Sequence, residues 1–318
     1  MTYNILIIYD GKTSSLNQAM GLINSLKKKS RRKFEVKLLK FCPAYKSLVG
    51  NSIIFYHLFL KFLILKKKLN YLNVELIVSC GRVAAPLSLI YKRICHAKII
   101  NILDPYFRRN EFDKIIIPNH DKKLKGNNFL YINGSLINRE LKKIDKSDVD
   151  KFSNLISKSK KNIVILIGGN SNITRFNYED LNKFTLHLKM IDLSNYNLYF
   201  LYSRRTSQDI KTVINNNFKN SFIWDENSKN PYWFLLNMAN FIIVTEDSIS
   251  MISEAISLRK PVYIFKLQRI KEKNRNFTKF LENKKIVKYF SGSINLWRPK
   301  KLIVEENIIP QILEYLKI

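Results

Sequence analysis

Short, solidly apolar runs alternate with helical segments along almost the whole chain, and this rhythm narrows the possible folds most. Residues 4–9, 34–39, 74–79, 97–103 and 113–117 read as strands, with helices over 15–29, 50–69 and 83–94. In the second of these helical stretches the apolar residues crowd together. In 15–29, Leu16, Met20, Ile23 and Leu26 recur at helical spacing and lysines close the segment, as suits a helix C-terminus. A charged stretch, 142–161, interrupts the pattern. It then resumes with strands at 162–167, 198–202, 241–245 and 262–265 and helices at 178–190, 206–216, 248–258 and 305–317. Runs without polar alternation belong to strands covered on both faces, so the class is α/β with parallel sheets. The 318 residues suit two units. We place an N-terminal α/β domain at 1–150, a C-terminal one at 151–300, and a final helix at 301–318 packing back on the first domain.

The chain carries 55 Lys+Arg against 25 Asp+Glu, a formal charge of +30. Such a surplus invites a nucleic-acid reading. However, the basic residues are dispersed in short runs (27–29 with 31–33, 66–68, 158–161), and no RNA-recognition, zinc-finger or homeodomain pattern accompanies them. Nucleic acid is therefore excluded as the expected partner, in favour of anionic lipid headgroups and phosphorylated small molecules. Cys42, Cys80 and Cys95 form no CxxC pair, so a disulfide scaffold is not expected and a reducing, cytoplasmic setting is. No secretory signal is visible. The most apolar stretch, 53–65, contains His57 and Lys61 and falls short of the ~18–20 apolar residues a membrane-crossing helix needs.

In parallel sheets ligands meet the residues just after each strand, where the next helix offers free N–H groups to anions. Six such places are polar or glycine-containing: Asp10-Gly11-Lys12, Cys80-Gly81-Arg82, Asp104-Pro105, Gly168-Gly169-Asn170-Ser171, Ser203-Arg204-Arg205-Thr206 and Glu246-Asp247-Ser248. The segment from Thr245 to Glu254 is the most telling. Its loop N–H groups with Ser248 and Ser250 can hold a diphosphate, and Glu254, about 9 Å further along a helix rising roughly 1.5 Å per residue, can accept from ribose hydroxyls. The competing reading pairs Glu254 with Arg259 or Lys260 on the surface.

Asp10-Gly11-Lys12 with Asn17-Gln18-Ala19-Met20-Gly21-Leu22, Cys80-Gly81-Arg82-Val83-Ala84-Ala85-Pro86, Phe112-Asp113 and Pro118-Asn119-His120-Asp121 occur in order. Asn133-Gly134-Ser135-Leu136, Ser203-Arg204-Arg205-Thr206, Asn230-Pro231-Tyr232 and Thr245-Glu246-Asp247-Ser248-Ile249-Ser250-Met251 with Glu254-Ala255 follow. Together they resemble the "elongated mitochondria" family of mitochondrial-fission proteins, which has many bacterial members. That family is similar to GT-B glycosyltransferases, two Rossmann-like domains facing across a nucleotide-sugar cleft. In the related lipid-linked peptidoglycan glycosyltransferase the loop and helix matching 245–254 hold the donor diphosphate and ribose, with a Glu at the position of Glu254. The resemblance implies a nucleoside-diphosphate-sugar site built from Gly168, Gly169, Asn170, Ser203, Arg204, Arg205, Thr206, Asn230, Tyr232, Thr245, Glu246, Asp247, Ser248, Ser250 and Glu254. Gly11, Lys12, Gly81 and Arg82 would lie on the acceptor side. No DxD or HxxxH pattern is present and GT-B enzymes generally need no metal, so neither metal nor other cofactor is expected.

One departure bears on catalysis. Bacterial members of the family read Asp-Gly-x-x-Gly-His in the first loop, where this chain reads Asp10-Gly11-Lys12-Thr13-Ser14-Ser15. Serine cannot act as a general base near neutral pH as histidine can. His120 with Asp121 is the available substitute, together with Asp10; the alternative for His120 is a packed, hydrogen-bonded loop. His57, His96 and His187 read as structural. Residues 45–69 combine apolar and aromatic side chains with flanking lysines, which suits either a helix lying in an anionic interface or one buried on the N-terminal sheet. The expected function is transfer of a sugar from a nucleoside-diphosphate donor to an envelope lipid or polysaccharide at the cytoplasmic face of a membrane. The rival is a membrane-associated scaffold without turnover.

Overall fold

The computed structural model describes residues 2–42, 73–121, 123–156, 159–170, 173–174 and 176–318. It divides into two compact units, Met1–Arg139 with Ile303–Ile318, and Glu140–Leu302. The expected helix over 50–69, with His57 and the lysines at 61–68, lies outside the described residues.

The first unit runs β1 (Thr2–Tyr9), α1 (Thr13–Lys29), β2 (Lys33–Lys40), β3 (Leu76–Cys80), α2 (Gly81–Cys95), β4 (Lys98–Ile102), β5 (Lys114–Pro118) and β6 (Phe129–Ile132). The chain's last helix, α9 (Ile309–Leu316), joins the same unit. All strand pairs are parallel, in the order β2-β1-β3-β4-β5-β6. Alternate residues of β1 serve opposite faces. Ile5 and Ile7 pack with Leu22, Ile23 and Leu26 of α1 and with Ile309, Ile312 and Leu316 of α9. Leu6 and Ile8 pack with Ala84, Ala85 and Leu89 of α2. Both faces being dry explains why β1 shows no polar alternation.

The second unit runs α3 (Lys146–Phe152), β7 (Lys161–Ile167), α4 (Tyr178–Lys189), β8 (Tyr196–Tyr202), α5 (Gln208–Asn217) and β9 (Phe222–Ile223). It continues with α6 (Tyr232–Met238), β10 (Phe241–Thr245), α7 (Ile249–Ile256), β11 (Val262–Phe265), α8 (Glu272–Asn283) and β12 (Lys288–Tyr289). Its sheet, again parallel, has the order β12-β11-β10-β7-β8-β9. The order reverses between β7 and β10, and in the first sheet between β1 and β3. At such a switch point the flanking helices depart to opposite faces and leave a crevice at the carboxyl ends of the strands.

The structure departs from the sequence reading in places. The units divide at 139/140 rather than near 150, because Phe152 of α3 packs beside Phe234 in the second core. Strands β6, β9 and β12 are not expected from the sequence: each is an edge strand of four residues or fewer. Helix α8 was also unforeseen, since Asn274 and Thr278 share its inward face with Phe277 and Leu281 and blur the apolar period. Helix α6 is a single short run with no charged residue to mark its outer face.

Gly21 shows how closely α1 is seated. A Cβ there would come within 2.7 Å of the Ile137 backbone carbon and oxygen, and Asn24 Nδ2 donates to Asn138 Oδ1 at 2.8 Å alongside. In an exposed helix Gly→Ala gains up to about 1 kcal/mol; forcing a methyl into a backbone contact costs about 1–3 kcal/mol. Gly21→Ala is therefore expected to lower the unfolding free energy by about 1–2 kcal/mol in urea titration, and a gain would contradict this packing.

Candidate functional site

Three strand ends at the second switch point are tied into one hydrogen-bonded knot. Thr245, the last residue of β10, accepts from the Gly168 amide at 2.7 Å and donates to Asp247 Oδ1 at 2.7 Å. Asp247 Oδ2 accepts from the Gly169 amide at 3.0 Å. Thr206, after β8, donates to Gly168 O at 2.6 Å, while Asn170 N donates to Arg205 O at 3.1 Å. The glycines are sterically required: a Cβ on Gly168 would lie 2.0 Å from Asp247 Oδ1, and one on Gly169 1.9 Å from Arg205 O. Burial raises the Asp247 carboxyl, against hydrogen bonds from Thr245 and the Gly169 amide and the charge of Arg205. Arg205 Nη2 stands 3.5 Å from Asp247 Oδ2 and keeps a solvent-exposed side chain.

The knot fixes the start of α7. Ser248 caps this helix, accepting from Met251 N at 3.4 Å. Asn274 Nδ2 of α8 holds Asp247 O at 2.7 Å from behind. The first-turn amides of α7 have no helical carbonyl to bond and carry the positive end of the helix dipole. Ser250 lies on that turn and is partly exposed. Arg204 is exposed, and none of its side-chain atoms takes part in an ion pair among the described residues. These groups make an anion-accepting edge: amides, hydroxyls and two guanidinium groups at the ends of adjacent strands.

Glu254 lies further along α7. Tyr232, the first residue of α6, donates its hydroxyl to Glu254 Oε2 at 2.6 Å. Asn230 Oδ1 accepts from Tyr232 N at 2.9 Å and so shapes the turn into α6. The expected alternative, a surface pair with Arg259 or Lys260, is absent: Lys260 Nζ donates to Ala239 O at 2.7 Å and to Asn237 O. Burial raises the Glu254 carboxyl to about 7 despite the hydrogen bond from Tyr232.

Glu246 requires a correction. Expected to face a ligand, it is fully buried instead, pairing with Arg275 Nη1 at 2.8 Å. Its oxygens also accept from Thr278 Oγ1 at 2.6 Å and Leu267 N at 3.1 Å. Both oxygens are consumed in fastening α8 and the β11 end to β10. Asn274, Arg275 and Thr278, the supports of this edge, were missed by the sequence reading; their only signal was polar residues recurring on the inward stripe of α8.

The first switch point carries the Asp10–Lys12 loop after β1 beside Gly81-Arg82 after β3. Asp10 is buried and ion-paired with Lys12. Burial would raise its carboxyl, yet hydrogen bonds from Lys12 and Ser15 outweigh this and hold it below the ordinary range. A carboxylate so held is a weak base. Arg82 is exposed at the start of α2. His120 and Asp121 form the turn after β5, with Asp121 N donating to Pro118 O at 2.9 Å. Strand β5 is three positions from β1, so at roughly 4.8 Å per strand the strands that lead into His120 and Asp10 lie about 14 Å apart. His120 and Asp121 thus share one turn, while Asp10 follows a strand three positions away in the sheet.

Cys42, Cys80 and Cys95 are free thiols. Among the described residues no cluster of His, Cys, Asp or Glu could hold a metal ion, and no helix is long and apolar enough to cross a membrane.

Two doubly wound units, each with its polar loops at the switch point, define the GT-B fold. Residues 15–316 match the family model for mitochondrial fission ELM1, and the chain belongs to that family. It is 28% identical to uncharacterized protein RP120 of Rickettsia prowazekii, over 92% of both chains. It is 22% identical to the mitochondrial fission protein ELM1 of Arabidopsis thaliana, over 68% of this chain and 57% of that protein. Among solved structures it is similar to UDP-GlcNAc 2-epimerase from Neisseria meningitidis bound to UDP-GlcNAc (14% identity, TM-score 0.54, 99% of each chain covered). It is also similar to the glycotransferase of kitacinnamycin (11% identity, TM-score 0.56, 93% of this chain and 88% of that one). These likenesses show the fold.

The corrected role of Glu246 is directly testable. Arg275→Ala strands a buried carboxylate and should lower the unfolding free energy by about 3–5 kcal/mol, whereas exposed Arg204→Ala should change it by less than about 0.5 kcal/mol. Equal, small effects in urea titration would contradict the assignment.

Proposed function

We propose that the chain is a glycosyltransferase that draws its sugar from a nucleoside diphosphate and delivers it to an envelope lipid or polysaccharide at the cytoplasmic face of a membrane. The observation that carries this reading is the anion-accepting edge at the second switch point, followed within the same helix by the Glu254 carboxylate. The donor diphosphate would rest on the first-turn amides of α7 and the Ser248 and Ser250 hydroxyls, with Gly168–Asn170 forming the floor. Arg204 and Arg205 would offset the charge that builds on the departing diphosphate; such preorganised electrostatics is usually the largest catalytic contribution. Glu254 would accept from the ribose. The acceptor would approach the Asp10–Lys12 and Gly81-Arg82 loops, where Arg82 is free to meet a phosphate or carboxylate. Neighbours of the same fold that bind UDP-GlcNAc support a nucleotide-sugar partner.

A second reading, donor binding without turnover in a scaffold of the mitochondrial-fission type, is favoured by one observation. The first turn of α1 has serines at 14 and 15, and Asp10 in the loop before it is tied to Lys12 and held ionised. Saturable sugar transfer to any lipid or polysaccharide acceptor would exclude it.

Titration calorimetry with UDP- and GDP-sugars tests the donor site that both readings share. A hydrogen bond to a charged group contributes about 1.5–3 kcal/mol, so Glu254→Ala should weaken donor binding by roughly 10- to 150-fold. Absence of heat for every donor with the wild type would contradict the proposal.

A further inference from the structure

The contact between Tyr232 and Glu254 joins α7, whose first turn would receive the diphosphate, to α6, which would not touch it, and a diphosphate site does not by itself require it. Tyr232 opens α6, Glu254 lies on α7, and the phenol donates to Oε2 at 2.6 Å. The turn that delivers the phenol is built for it. Asn230 Oδ1 accepts from Tyr232 N at 2.9 Å, Pro231 precedes the helix, and Trp233 stands edge-on to the Tyr232 ring with centroids 5.5 Å apart.

The surrounding charges are directed elsewhere. Lys260 donates to the carbonyls of Asn237 and Ala239, Lys142 donates to Ser257 O at 3.0 Å, and Arg259 is exposed beyond the helix end. Glu254 is therefore a carboxylate governed by burial and by one phenol.

We propose that Tyr232 is a positioning residue: by donating to Oε2 it orients Glu254 and leaves Oε1 and the phenolic oxygen as paired acceptors for a vicinal diol. The site then selects ribonucleotides over 2′-deoxyribonucleotides, and does so when Glu254 is ionised. This rests on the nucleotide-binding reading given above. A ribose cis-diol supplies two O–H donors to two adjacent acceptors, whereas a 2′-deoxyribose leaves one acceptor desolvated without a partner, which is costly. Protonating Glu254 turns an acceptor into a donor and breaks the match. Burial raises the Glu254 carboxyl to about 7, and the Tyr232 hydrogen bond acts in the opposite direction. Burial and the Glu254 charge push the Tyr232 hydroxyl well above its ordinary value, so it stays a donor throughout. Binding should accordingly strengthen as pH rises through about 7, and removing the phenol should move that midpoint upward.

The test is calorimetric binding of UDP, GDP and their 2′-deoxy counterparts between pH 5.5 and 8.5 to the wild type, Tyr232→Phe and Glu254→Gln. Titration of the nucleotide's own phosphate is common to all three proteins and cancels in the comparison. The wild type should prefer the ribonucleotides at least tenfold. Tyr232→Phe should cut that preference at least fivefold and raise the pH midpoint, and Glu254→Gln should lose the protein-dependent part of the pH profile. If Tyr232→Phe keeps both the preference and the midpoint, the positioning role is wrong while the diphosphate site stands. If the wild type binds none of the four nucleotides, the nucleotide reading fails and this inference with it.

Discussion

The buried carboxylate of Asp247 holds the second unit's edge together. It accepts from Thr245, which closes β10, and from the Gly169 amide, which leaves β7. Without it, two strand ends would present buried unsatisfied polar groups, each costing about 1–3 kcal/mol. Its bulk also explains the glycine at 168, since the carboxylate occupies the volume a side chain there would need. The direction of α7, and hence where its first-turn amides point, follows from this anchor and from Asn274 behind it.

Both sheets place their polar loops where strand order reverses, a consequence of topology rather than of any single motif. Helices leaving neighbouring strands toward opposite faces cannot close over the strand ends between them, so these are the points where a ligand can meet backbone amides. The two edges differ chemically. In the second unit a carboxylate raised to about 7 lies on α7, and exposed guanidinium groups follow β8. In the first, Asp10 is neutralised by Lys12 and held ionised.

Much of this was legible in the sequence because parallel strands buried on both faces must be written as unbroken apolar runs. The ends of β1, β3, β7, β8 and β10 were consequently visible, as were the glycines and hydroxyl residues that follow them. What remained hidden depended on direction. Glu246, Asp247 and Ser248 are consecutive, yet one is turned into the core against Arg275, one braces the glycine loop and one caps α7. No period in the sequence separates these fates. Likewise Asn230-Pro231-Tyr232 stood out as a motif, but nothing in its spacing revealed that Tyr232 reaches Glu254, 22 residues away. His120 stood out as a histidine after a strand, and only strand order shows that this strand lies three positions from β1.

The most direct measurement of the central claim is a crystal structure of the protein soaked with a nucleoside diphosphate. The account predicts density for the diphosphate on the first turn of α7 between the Gly168-Gly169 loop and Ser248–Ser250, with the ribose at Glu254. Nucleotide density at another place, or none at this edge at saturating concentration, would contradict it.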